Sequence, residues 1–260
     1  MEDVLTEIPP PSRFFQEDLN NFTPPSPPIP SPFLVFPTTA ADLRPSLLII
    51  AISSPSLHLF HTAASKTLIG ALILPETSFA GNTVLPSLKD TSCHVYSLDG
   101  GKNQTLLVSV QLPVAADRCH AVAKLLVAGQ ILPERVLILD SVQNRNFRGK
   151  LSRDEAAAFK LETTAERRSK SVLGDSSLEY LPSASVVDGL GAAVLARCEM
   201  SKIKAVLCVA WPEFGGDVVE LIKSRVLPAL DLGLSFNADA GDDYGGLKQD
   251  KDPFDSDLYT

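Results

Sequence analysis

The sequence predicts an α/β protein built as a three-layer αβα sandwich around a mainly parallel or mixed sheet. Three observations carry that expectation. Short runs that are apolar at consecutive positions recur from residue 45 onward, as strands do when both faces of their sheet are covered. Segments with helical spacing fall between several of these runs. Residues 1–32 and 237–260 differ from the rest so strongly in composition that neither reads as part of the packed body.

The strand candidates are "SLLIIAIS" (46–53), "TLIGALIL" (67–74), "CHVYSL" (93–98), "TLLVSVQL" (105–112), "RVLILDSV" (135–142) and "AVLCVAW" (205–211). The first four follow one another without an obvious helix, which implies a hairpin or mixed region of the sheet. In "AADRCHAVAKLLVAG" the residues Cys119, Val122, Ala123 and Leu126 make one apolar stripe, and Leu190, Val194, Leu195 and Cys198 continue a helix in "SVVDGLGAAVLARCEM". "DVVELIKSRVLPAL" places Val218, Leu221, Ile222 and Val226 on one face. Asp217 and Glu220 read as its N-cap and N3 pair. Pro228 should end or kink that helix. Residues 150–180 are rich in Lys, Arg, Glu and Ser and read as an excursion from the core.

The resulting organisation is a proline-rich arm (1–32), a single αβα domain (33–236) and an acidic tail (237–260). Proline removes backbone donors and fixes φ, so the arm should be extended or disordered, either as a surface-lying strip or as a ligand for a proline-reading domain. The tail carries Asp239, Asp242, Asp243, Asp250, Asp252, Asp255 and Asp257 among paired glycines. Its own charge should keep it extended and disordered.

Composition excludes several function classes. A net charge of -8 argues against nucleic acid or an anionic membrane as the main partner. The longest apolar run is far shorter than a membrane span. The opening "MEDVLTEIPPPSRFF" lacks the basic and apolar regions of a secretory signal. Cys93, Cys119, Cys198 and Cys208 lie far apart in apolar surroundings and read as reduced, buried thiols. A cytoplasmic or nuclear protein is therefore expected.

The chemistry-bearing candidates are few. "VVDGLGAAV" approximates the glycine-rich turn of a dinucleotide site, but Val194 stands where Gly or Ala belongs. Asp188 capping a closely packed helix explains the same residues. The histidines His58, His61, His94 and His120 lack the spacing of a zinc site, and no nucleophile motif occurs. No metal, cofactor or catalytic residue is expected. The remaining enzyme-like spot is "ILDSVQNRNFRGK" (138–150), where Asp140 ends a strand and Arg145 and Arg148 follow in a loop. Open α/β sheets bind ligands at such edges. The same loop would also serve as a basic protein-contact surface.

The sequence closes on "DPFDSDLYT". An apolar residue, a tyrosine and a terminal carboxylate form a peptide that a pocket can capture by its end. The segment "PSASVVDGLGAAVLARCEMSKIKAVLCVAWPE" (182–213) resembles the corresponding region of the proteasome assembly chaperone 1 family: a small-residue "AAVL…C" helix, a lysine-isoleucine turn and a buried "AVL" strand. Members of that family also end in a hydrophobic-Tyr-Thr tripeptide after a polar linker. The resemblance spans residues 45–260, and the opening residues and "ILDSVQNRNFRGKLS" look closest to plant members. It implies a non-enzymatic chaperone that pairs with a related second chaperone and binds α subunits of the 20S proteasome to promote α-ring assembly. By that match Leu258 is the apolar anchor, Tyr259 the aromatic lever and Thr260 the donor of the carboxylate, docking between neighbouring α subunits. A nucleotide- or nucleoside-processing α/β enzyme using the 140–148 loop is the alternative.

Overall fold

The computed structural model describes residues 30–36, 43–63, 65–75, 93–98, 104–151, 155–169, 171–173, 178–213 and 216–230. Most of the proline-rich arm and all of the acidic tail therefore lie outside the described residues.

Among the described residues, nine strands join in one sheet: β1 (Phe33–Val35), β2 (Leu47–Ala51), β3 (Lys66–Ile73), β4 (Cys93–Leu98), β5 (Thr105–Ser109), β6 (Arg135–Ser141), β7 (Ala157–Glu162), β8 (Glu179–Tyr180) and β9 (Lys204–Trp211). Their spatial order is β1-β3-β4-β5-β2-β6-β9-β7-β8. The centre, β5-β2-β6-β9, is parallel. On one side β1, β3, β4 and β5 pair antiparallel. On the other, β7 runs antiparallel to β9 and β8 parallel to β7. The sheet is mixed, as the lack of helices around the early runs implied.

The consecutive apolar residues of the central strands have the predicted cause. Alternate side chains point to opposite faces, and each face is covered. Leu48, Ile50, Leu106, Val136, Ile138 and Leu207 meet one pair of helices, α2 (Cys119–Ala128) and α4 (Gly189–Met200), through Val122, Leu126, Leu190 and Val194. Leu47, Ile49, Leu107, Leu137, Val206 and Cys208 meet the other pair, α1 (Ser54–His61) and α5 (Gly216–Arg225), through Leu59, Phe60, Val218 and Ile222. That is the αβα sandwich. Helix α5 stops at Arg225, ahead of Pro228, which sits in the first turn of the short α6 (Leu227–Leu230), where its missing N–H costs nothing.

Three elements depart from the sequence expectation. "SPSLHLFH" is helix α1, begun by Pro55 in the first turn. Residues 157–162 and 179–180 are strands of the main sheet, so part of the polar excursion belongs to the core layer. Their charges are neutralised locally. Lys160 Nζ lies 3.0 Å from Glu162 Oε1, and Tyr180 donates its hydroxyl proton to Glu162 Oε2 at 2.7 Å. Between β7 and β8, Thr163 caps the short α3 (Thr164–Arg167) by accepting from Glu166 N.

All four cysteines are free and buried. Burial raises each thiol pKa, to about 12 for Cys198 and Cys208. The thiolate is the reactive form, so a thiol-specific disulfide reagent is expected to modify these residues only after denaturation. Rapid native modification of Cys198 or Cys208 would show that the sheet opens around them.

Candidate functional site

The structure brings together two stretches that stand 48 residues apart in the sequence, Asp140 and the "DGLG" turn that begins at Asp188. Strand β6 leads Asp140 out at its C-terminal end, and α4 begins beside it. Asp188 occupies the N-cap position with extended backbone, yet its side chain makes no cap hydrogen bond. Its carboxylate accepts from Asn146 Nδ2 at 3.1 Å. Asp140 does the capping instead. Its carboxylate accepts from the backbone amide of Gly191 at the third helical position, and Oδ1 accepts from Ser141 N at 2.8 Å. The expected cap is therefore supplied from a different element.

Both glycines follow from this arrangement. Gly189 has φ +67°, the left-handed region that suits glycine. At Gly191 a Cβ atom would come 2.3 Å from Asp140 Oδ2. The turn thus makes room for a carboxylate of the protein itself. A pyrophosphate at this helix start would have to displace that carboxylate from the amide and the space it uses. Desolvation pushes the Asp140 pKa up to about 6; neighbouring Asp188 and Glu213 add to the rise, and the two amide hydrogen bonds oppose it.

The loop after β6 is engaged in its own fixation. Arg148 donates through its guanidinium to the carbonyls of Arg145 (2.8 Å) and Phe147, and its backbone N–H donates to Ser185 Oγ at 2.9 Å. Val186 N donates to the Asn146 carbonyl, and the Phe147 ring stacks on Trp211 at 5.2 Å. The enzyme-like spot is therefore a hydrogen-bonded clamp between loop 142–149, segment 182–188 and the start of α4, anchored by the buried Phe147 ring while Arg145 and Arg148 stay exposed.

Sequence reading missed a cleft of about 600 Å³ beside this clamp. Leu161, Leu181, Val187 and Leu195 give it apolar walls, with Arg167 and Glu199 at its margin. Exposed Tyr180, Val186 and Met200 adjoin its lining residues in sequence. Phe33, Val35 and Leu68 are exposed toward the other edge of the sheet. The signal was faint, because isolated apolar residues in polar stretches gain meaning only once the fold gathers them. The residues expected to bind a partner, Leu258, Tyr259 and Thr260, lie outside the described residues.

No protein-family model and no curated protein matches the chain. Solved structures do. A protein of unknown function from Thermoplasma acidophilum superposes with a TM-score of 0.55 at 13% identity, covering 79% of this chain and 84% of the other. Pyrococcus furiosus PbaB, an archaeal proteasome activator, gives 0.53 at 14% identity over 81% and 91%. Pyrococcus furiosus PbaA, an archaeal homolog of proteasome-assembly chaperone, gives 0.50 at 15% identity over 81% and 89%. At such identities the likeness is one of architecture, and this chain has the αβα fold of those archaeal proteins.

Proposed function

We infer that this protein is a non-enzymatic proteasome assembly chaperone, similar to plant members of the assembly chaperone 1 family. It pairs with a related second chaperone and binds 20S α subunits in the cytoplasm or nucleus. The observation that carries the reading is the fold likeness to the archaeal proteasome activator over most of both chains. The resemblance of residues 182–213 and of the final "LYT" adds to it from an independent direction. Exposed apolar residues toward both edges of the sheet also suit a protein that holds two partners.

In this reading the acidic tail keeps its end in water, and the last three residues enter a pocket on an α subunit. Leu258 fills an apolar recess, the Tyr259 ring buries area while its hydroxyl is satisfied, and the Thr260 carboxylate meets a cation or backbone amides. In this reading the folded domain carries the tether, and the clamp around Asp140 serves stability.

Affinity purification followed by mass spectrometry tests the reading. Recovery of 20S α subunits together with a related chaperone is expected. Deleting Leu258–Thr260, or appending residues behind Thr260, should cut recovery of α subunits by about tenfold or more while leaving the fold intact. Tyr259→Ala should lose less, because the second chaperone supplies another attachment. If the truncated chain recovers α subunits as well as the full chain does, the tail has no docking role. If neither α subunits nor a related chaperone is recovered, the chaperone reading falls.

A further inference from the structure

A second cleft, of about 410 Å³, lies at the opposite end of the central strands from Asp140. Arg135 and Lys204 open β6 and β9 and are register partners, so two cations stand side by side at the start of adjacent strands. Ser169 and Ser171, in the segment after α3, face them across the cleft, and Leu230 completes the lining. None of the residues that line it is acidic. Arg135 is held in place: its Nε lies 3.2 Å from buried Glu166 Oε2, and a terminal nitrogen donates to Ser169 Oγ at 3.4 Å. Glu166 Oε1 in turn accepts from Val172 N at 2.7 Å. Lys204 is exposed and has no ion-pair partner among the described residues.

Leu230 is also the last described residue, so the chain continues from the wall of this cleft. The continuation "DLGLSFNADAGDD" (231–243) contains Asp231, Asp239, Asp242 and Asp243 and no lysine or arginine. The next cations in the sequence are Lys248 and Lys251. Asp231 follows Leu230, a residue of the cleft, directly in the sequence, so the acidic stretch begins one peptide bond beyond a cation-lined recess.

We propose that residues 231–243 fold back onto the Arg135–Lys204 cleft and clasp the tail ionically in cis. The occupant is an acidic peptide, and this chain supplies one where the recess begins. The clasp governs reach. Thirty residues follow Leu230, and fully extended they span about 100 Å. With 231–243 clasped, only residues 244–260 remain free, and their limit falls to about 55 Å. The functional consequence rests on the tethered-tail reading, whereas the clasp itself does not.

The test uses the full chain carrying a nitroxide on Gly245→Cys, since the native thiols are buried. Paramagnetic broadening is read at the amides of Ser169, Ser171 and Lys204. At about 0.1 M salt these signals should lose most of their intensity relative to the reduced label, and recover at about 1 M, where the screening length shrinks from about 10 Å to about 3 Å. Lys204→Glu, or Asp231, Asp239, Asp242 and Asp243 changed together to Asn, should restore intensity several-fold at low salt. Signals that stay sharp at low salt overturn the proposal, as does broadening indifferent to Lys204→Glu. Broadening seen only between a labelled and a separately isotope-enriched copy also overturns it, and assigns the cleft to a second copy's tail. The broadening is read on this chain with no α subunit present, so the clasp and the chaperone reading fail separately.

Discussion

Gly191→Ala is expected to lower the free energy of unfolding by about 2–3 kcal/mol, although alanine is the better helix former by about 1 kcal/mol. The added Cβ would sit 2.3 Å from Asp140 Oδ2 and 3.2 Å from its Cγ. The aspartate cannot yield cheaply, because Oδ1 is fixed by Ser141 N and the same carboxylate accepts from the Gly191 amide. Overpacking costs about 1–3 kcal/mol, and loss of a hydrogen bond to a charged group about 1.5–3 kcal/mol. Denaturant unfolding measures the sum. The cause is identified by a double-mutant cycle: in an Asp140→Ala background the Gly191→Ala change should become neutral or stabilising. If the two changes are additive, the glycine has some other role.

Asp140→Asn should make the protein more stable at pH 7.5, by as much as about 3 kcal/mol, and leave it nearly unchanged at pH 4. Burial raises the folded-state pKa from 3.8 to about 6. Between those values the folded chain keeps a proton that the unfolded chain has released, so stability falls as pH rises through the window. The stabilisation is fully present below about pH 4 and lost above about pH 6. A shift of two pH units corresponds to about 3 kcal/mol. Asparagine stays neutral, and its carbonyl can accept from one of the same amides. The quantity to measure is the difference in unfolding free energy between variant and wild type across pH 4–7.5, which cancels the other carboxylates. A variant less stable than wild type at pH 7.5 would mean that the charge's attraction to the start of α4 outweighs its desolvation.

The two changes probe one clamp, and it was only half visible beforehand. Asp140 and the "DGLG" turn each stood out in the sequence, one as a strand-end acid and the other as a glycine-rich turn. Their contact depends on β6 and α4 meeting after a long detour through β7, α3 and β8. Read alone, the turn suggested a self-cap by Asp188 or a phosphate cradle. The fold makes Asp140 the cap and engages Asp188 with Asn146.

The central strands and the helices α2, α4 and α5 were legible in the amino-acid sequence, because consecutive apolar residues need two covered faces and helical stripes need one. The proposed role of the final "LYT" rests on the sequence alone, because residues 258–260 lie outside the described residues. Tertiary structure decided the rest. Strand β7 carries Lys160 and Glu162, which read as solvent-facing charge until they neutralise each other beside Tyr180. Helix α1 continues an apolar run and is set apart from β2 by its proline start. The cleft at Arg135 and Lys204 exists because parallel pairing aligns the first residues of β6 and β9. In each case the deciding term is a contact between distant segments, and no local pattern encodes it.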